Sequence, residues 1–397
     1  MSPAFRPLDG VRIVEFSSSI AGPAAAMILA QLGADVVKVE SPEGDDSRAW
    51  PPHVGDRSVV FRQMCVGKRG IVVDLKQAEG VEVALALTDS AAVVLQTMRP
   101  GVAERIGIGS AAVRARNPDV IYFDMNAFGT GPVGRDMPGY DPMVQAFTGI
   151  MEMTGHEGAP PTRCAPSLID MGTGQWIAMG VLAAVLAKLR GQPVHSMETA
   201  LVDTGFCVIS YQATTALMTG ERPPRAGSGN PIASPYQCYE ASDGQLLIAA
   251  PNQKLWQKVV QVLDAPALLE DPRFATVAER SKHRAALEVA LNARFGRSTV
   301  DDWIARLSKA GVPATRVFGL EQAVVSDIAR ERRTFADSDG VPLVRLPWLV
   351  DGEPIPWSSP APALGQHTRE VLHEIGFSDE RIDGLVTSGT VREWTAE

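Results

Sequence analysis

Cysteine is scarce. Cys65, Cys164, Cys207 and Cys238 are the only four in 397 residues, and no two form a C-x-x-C pair. That spacing argues against a disulfide framework or a zinc site and reads as reduced thiols in a cytoplasmic protein. The six histidines, His53, His156, His195, His283, His367 and His373, make no close ligand pair and no H-E-x-x-H, so no metal is expected. Long apolar runs are missing too. The longest, Trp176 to Ala187, has 12 residues, against about 20 for a bilayer, and reads as a buried helix. The opening MSPAFRPLDGVR has no apolar signal core, so no signal peptide is expected, and with no run long enough for a bilayer no membrane partner is expected. Basic residues are outnumbered, 37 to 46, for a net charge of −9, which argues against a nucleic-acid partner. A local basic pocket for an anionic ligand remains compatible with that balance.

Two glycine signatures are absent as well, and a third is missing from the turn where it would act. The first strand–turn–helix reads Ser17-Ser-Ser-Ile-Ala-Gly22 rather than G-x-G-x-x-G, so the backbone cannot approach a dinucleotide pyrophosphate in the usual way. This holds although Glu40 ends the second strand where a ribose-binding acid would stand. Gly67-Lys68-Arg69 is no Walker loop, and no G-x-S-x-G elbow occurs.

What is present is a soluble-enzyme composition, 45% apolar and 21% charged, long enough for two domains. Val11–Phe16, Ala21–Leu32 and Asp35–Glu40 make a strand–helix–strand unit, with Ser17–Ser19 as possible caps. Strands at 71–75, 92–95 and 120–125 alternate with helices at 79–89 and 101–116. The expected fold is α/β, a Rossmann-like large domain with a parallel sheet. Helices are expected at 141–154, 171–189 and 201–220, and a polar strand within 191–200. The texture changes at Glu221–Pro231, which reads as a linker. A smaller α+β domain is expected at 226–325, with residues 1–225 and 326–397 forming the large domain. The proline-rich stretch 341–365 is extended, and His367–Ile375 resumes a helical pattern.

Basic residues cluster near strand ends of the large domain: Lys68-Arg69, Lys76, Arg99 and Arg105. They suggest an anion site for phosphates. Asp170 stands in Ser167-Leu-Ile-Asp-Met-Gly-Thr-Gly174, just ahead of a helix expected from about Gln175. A plain N-cap is one reading. The other is a nucleophile, since a helix N-terminus favours the carboxylate anion and the flanking glycines leave room for an electrophile.

In this order, Pro7–Phe16, Ala21-Gly-Pro23, Leu32–Glu40, Lys68-Arg69 with Asp74-Leu-Lys76, Arg99-Pro-Gly101, Asn117–Ile121, Gly139-Tyr-Asp141 with Gln145 and Gly149, and Asp170 with Thr173-Gly174 resemble family III CoA-transferases of the CaiB/BaiF type along nearly the whole chain. The resemblance implies an obligate homodimer whose subunits interlock. It implies acyl-CoA and a small carboxylic acid as substrates, with coenzyme A carried as a thioester. Asp170 would attack the thioester carbonyl and form an acyl–aspartyl anhydride. Arg105 would pair with phosphate, Val73 and Lys76 would hold the adenosine end, and Thr97 and Met98 would line the pantetheine path. Ile20 and Ala21 would lie near the thioester, and Tyr140 and Asp141 would face the active site beside Asp170. Backbone N–H groups at Ile20–Ala21 or Met171–Gly174 would serve the tetrahedral intermediate, and Arg48 or Arg163 would reach an acceptor carboxylate.

The related racemases carry a histidine where this chain has Tyr140. A phenol with an ordinary pKa near 10 suits proton shuttling poorly, so transfer is favoured over racemisation of a 2-methylacyl-CoA. A catalytically silent acyl-CoA-binding protein is the third reading. The chain departs from some members at Ser41, where they carry a basic residue. In formyl-CoA:oxalate transferase a glutamine stands at Ile20, and a glycine run replaces Gly229–Ser234.

Overall fold

The β-branched run after Val11 forms strand β1 (Arg12–Phe16), followed by helix α1 (Ala21–Gln31) and strand β2 (Asp35–Glu40). The structure, a computed structural model, describes residues 5–395. Helix α2 (Val59–Cys65) leads to β3 (Arg69–Val73), α3 (Ala78–Thr88) and β4 (Val93–Gln96). Next come α4 (Val102–Ile106), α5 (Ser110–Arg116) and β5 (Ile121–Asn126). Helices α6 (Asp141–Phe147) and α7 (Leu168–Leu189) precede β6 (Ser196–Ala200). The expected helix at 101–116 is two helices, because Gly107 takes φ +102° and turns the chain between α4 and α5. The expected helix at 201–220 likewise divides into Leu201–Val208 and Ser210–Thr219. Helix α2 was not anticipated; Ser58 caps it by accepting the Phe61 N–H at 3.3 Å.

Residues up to Thr148, Ala165–Val208 and Ile328 onward form one compact unit; Gly149–Cys164 and Ile209–Asp327 form another. The first is built on a seven-stranded sheet in the order Val391–Arg392, β3, β2, β1, β4, β5, β6. All pairings are parallel except that of Val391–Arg392, which joins β3 antiparallel. From β1 the chain winds outward first through β2 and β3, then on the other side through β4, β5 and β6. The order therefore reverses between β1 and β4, and a crevice opens there beyond the carboxyl ends of the strands.

One sheet face packs Val14, Phe16, Val37, Ile71 and Val94 against α3, α5 and the C-terminal helices Thr368–Glu374 and Asp379–Thr387. Fully burying each such aliphatic side chain is worth about 1.5–3 kcal/mol. The C-terminal segment is also tied down by charge. Arg69 pairs with Asp35 at 2.7 Å and Glu374 at 2.6 Å, and Arg12 reaches Glu374 at 2.6 Å.

Helix α7 covers part of the sheet, where a side chain at Gly180 would meet Phe123 and Met197. By length and composition this helix would suffice to cross a membrane. Its Ile177, Val181 and Ala184 are instead a buried stripe at helical spacing.

The second unit has a three-stranded antiparallel sheet with Gly244–Ala249 between Tyr236–Ala241 and Ala314–Arg316. Its core gathers Tyr239, Trp256, Phe274, Phe295 and Trp303 among helices, an α+β arrangement.

Candidate functional site

Two cavities open at the reversal point of the large sheet. One, of about 770 Å³, lies beyond β2 and β3 and is lined by Val73, Lys76 and Arg105 among others. The other, of about 290 Å³, holds Ile20, Ala21, Arg99, Tyr140 and Asp170. Ser18, Thr97 and Met98 line both. The residues assigned by resemblance to an adenosine end, a pantetheine path and a reactive centre thus border one continuous depression in that order.

The reason lies in the strand ends. Thr97 continues the β1–β4 ladder, its N–H donating to the Phe16 carbonyl at 3.2 Å. The Met98 N–H donates to Gln96 Oε1 at 2.6 Å, and the Gln96 amide donates to Asp124. Burial pushes the Asp124 carboxyl up, with the Gln96 bond opposing. At the end of β1 the chain turns sharply into α1. A side chain at Gly22 would come within 2.5 Å of Ser17 Cβ and 2.7 Å of the Thr97 methyl, so only glycine fits that approach.

Asp170 is half-buried and sits inside α7, in its first turn, rather than ahead of the helix as the sequence suggested. Ser167 is the N-cap and makes no side-chain capping bond. The cap comes from Asp141: its Oδ2 accepts the N–H of Ile169 at 2.7 Å and of Asp170 at 3.3 Å. Asp141 is therefore buried and borders neither cavity, contrary to its expected place facing the site. Gln145 donates to its other oxygen at 2.6 Å. Tyr140, one residue before, is 66% exposed and does line the cavity. The first-turn dipole of α7 favours an anion at Asp170.

The glycines beside Asp170 do not leave open space. A Cβ at Gly174 would lie 2.9 Å from the Ala21 carbonyl oxygen and from Ala24 Cβ, and one at Gly172 would lie 3.0 Å from Thr204. Gly174 allows α1 and α7 to pack closely, which brings both helix N-termini to the same cavity, and Gly172 makes room for Thr204 of the helix Leu201–Val208.

Lys68 and Arg69 belong elsewhere, whereas Arg48 lines a further cavity with Ser19, Trp50 and Tyr140. Lys68 is fully buried and bonded to Glu15 at 2.8 Å. Arg69 opens β3, at the end opposite the cavities, and is paired to Asp35 and Glu374. Arg48 holds Glu40 through two bonds of 2.7 Å and lies over the Phe61 ring, which also removes Glu40 as a ribose ligand. Lys76 and Arg105 stay exposed at the larger cavity; Lys76 Nζ is 4.0 Å from Glu43. Arg163 lies in the second unit. Sequence reasoning passed over Glu15 and Lys38, both fully buried. The available signal was a charge within otherwise apolar parallel strands, Val14-Glu-Phe16 and Val36-Val-Lys-Val39.

The model of CoA-transferase family III matches residues 8–368. The chain is 32% identical over 383 residues to a succinate–glutarate CoA-transferase of Agrobacterium fabrum, covering 93% of this chain and 96% of that one. It is 32% identical to an acetyl-CoA:oxalate CoA-transferase of Acetobacter aceti, covering 94% and 97%. A crystal structure of a CaiB/BaiF family protein from Brucella suis superposes with a TM-score of 0.83 at 33% identity, covering 93% and 99%.

Proposed function

The chain belongs to CoA-transferase family III and is a CoA-transferase, and from that premise we propose that it passes coenzyme A from an acyl-CoA to a small dicarboxylic acid with Asp170 as covalent nucleophile. The observation that carries the reading is the placement of Asp170 in the first turn of α7, on the wall of a cavity continuous with the Lys76 and Arg105 cleft. The dicarboxylate follows the glutarate and oxalate named for two relatives.

In this scheme an Asp170 oxygen attacks the thioester carbonyl carbon. The C–S bond breaks, CoA leaves as thiolate, and an acyl–aspartyl anhydride remains. The acceptor carboxylate then replaces the donor acid on Asp170, and the thiolate takes up the new acyl group. Thioester and anhydride are both activated, so one difficult exchange becomes several easier ones. The first-turn amides of α1, at Ala21 and Gly22, have no intrahelical partner. They supply donors to the oxyanion.

The proposal includes a homodimer. On helix Ser210–Thr219 no residue is buried, and Tyr211, Leu217 and Met218 are 64%, 88% and 80% exposed, an apolar surface suited to a second copy. Analytical ultracentrifugation tests it; a folded monomer removes this part.

The deciding experiment incubates the protein with acyl-CoAs and a pool of carboxylic acids and follows new thioesters by mass spectrometry. Hydroxylamine should trap acyl-Asp170 as a hydroxamate. Full transferase activity in Asp170→Ala would overturn the nucleophile. Exchange of an α-proton with solvent deuterium, without any acceptor, would indicate racemisation instead.

A further inference from the structure

The turn that carries Ile20 and Ala21 rests on four buried charges that the chemistry above leaves unused. Lys38 and Lys68 are both fully buried, as is Glu15, and Asp45 is 5% exposed. Lys38 Nζ lies 2.7 Å from Asp45 Oδ2 and 3.5 Å from Glu15 Oε1; Lys68 Nζ lies 2.8 Å from Glu15 Oε2. Two ammonium groups and two carboxylates cancel. A buried net charge would be far costlier than this neutral set.

Each lysine has one further bond, and both go to the same stretch of backbone. Lys38 Nζ donates to the Ser17 carbonyl at 2.7 Å, and Lys68 Nζ donates to the Pro23 carbonyl at 2.9 Å. The carboxylates add two more. Asp45 Oδ1 accepts the Ser19 N–H at 3.3 Å, and Glu15 Oε1 accepts the Ser17 hydroxyl at 2.5 Å. The turn is thereby fixed before, within and after the residues that line the Asp170 cavity. Ser19 is held at φ +70°, a conformation serine seldom adopts unaided. Among the described residues the N–H groups of Ile20, Ala21 and Gly22 donate to nothing. Unspent donors beside a cavity wall that Ile20 and Ala21 line, on backbone clamped from behind, are preorganised for a developing negative charge.

We infer that Lys38 and Lys68 are positioning residues for the first acyl-transfer step, holding the Ser17–Pro23 turn so that its free amides face the thioester oxygen. This rests on the transferase reading. Neither lysine touches substrate; each acts through a main-chain carbonyl.

The test uses the full chain and two charge-balanced double variants. Lys38→Met with Asp45→Asn leaves the Glu15–Lys68 pair, and Lys68→Met with Glu15→Gln leaves the Lys38–Asp45 pair. Single-turnover release of CoA should slow about 100-fold in each, the scale of a small misplacement of catalytic groups. The KM for acyl-CoA should stay within about twofold. Wild-type CoA release in either folded variant would overturn the inference, as would a loss expressed wholly in KM. Should neither pair fold, Asp45→Asn alone decides. It keeps an oxygen toward Ser19 but loses the Lys38 ion pair, and should slow release about tenfold; an unchanged rate overturns the inference. Hydroxamate trapping on the wild-type protein is run alongside. Its failure sinks the transferase mechanism itself, whereas its success with unaffected variants sinks only the role of the lysines.

Discussion

Asp141 and Asp170 are joined through the backbone amide of Asp170. The Asp141 carboxylate takes the N–H of Asp170 at 3.3 Å and that of the preceding Ile169 at 2.7 Å. One carboxylate thus starts the helix that presents the other.

Asp141→Ala should remove this cap. A lost cap costs about 1 kcal/mol of stability, read as a lower midpoint in urea unfolding. Because the helix start also sets the Asp170 position, kcat should fall about 100-fold, more than the stability change alone accounts for. Asp141→Asn retains an acceptor oxygen and should recover part of both. Equal kcat in all three proteins would show that Asp141 matters to folding alone.

Lys76→Ala and Arg105→Ala should each raise the KM for acyl-CoA about tenfold, the scale of one charge-assisted hydrogen bond, with kcat kept. Both side chains are exposed at the larger cavity, so the effect should shrink as salt is added. Glu43 lies 4.0 Å from Lys76 Nζ, and Glu43→Gln should move KM the other way. Steady-state kinetics at two ionic strengths checks all three.

Gly174→Ala should destabilise the large unit by about 1–3 kcal/mol, as overpacking does. The new methyl would lie 2.9 Å from the Ala21 carbonyl oxygen, and backbone cannot yield as a flexible side chain can. Calorimetry reads the lowered Tm. An unchanged Tm would mean that α1 and α7 separate freely.

The C-terminal helix Thr368–Glu374 should loosen in acid. Bonds from Arg69, with a further contribution from Arg12, hold the Glu374 carboxyl below its ordinary value. A lowered folded pKa means that its stabilisation is present above the unfolded glutamate pKa, near 4.3, and fades as pH falls through the lower folded value. Protection of this helix against hydrogen exchange, taken relative to the intrinsic rate at each pH, should therefore fall below about pH 4, and much less in Glu374→Gln, which has no such charge to lose. Protection factors independent of pH in the wild type would refute the link.

The parallel strands were legible because runs such as Ile13-Val14 and Val36-Val37 are buried on both sheet faces and show an unbroken β-branched pattern. Helix α2 was not, since Val59-Val-Phe61 has strand-like residues, and only its Ser58 cap and the packing of Phe61, Met64 and Cys65 make it helical. The residues of the cavity wall could be named through resemblance, but their division of labour could not. Asp141 resembles a site residue in sequence and acts as a remote cap, because hydrogen bonds between residues 28 or 29 positions apart leave no local pattern. Lys68 and Arg69 are adjacent in sequence, yet one faces Glu15 inside the sheet and the other faces Asp35 and Glu374 near the surface.

The pairing of Val391–Arg392 with β3 has a bearing on how the molecule is made. Val73, at the rim of the larger cavity, is the direct partner of Val391. While the chain is still emerging from a ribosome, that border of the sheet has nothing to zip to. Its bare amides and carbonyls invite a neighbouring polypeptide. Protection arrives only when Val391–Arg392 has been made and has folded back, so a chain lacking that segment would keep most of its core but carry a sticky flank beside the larger cavity.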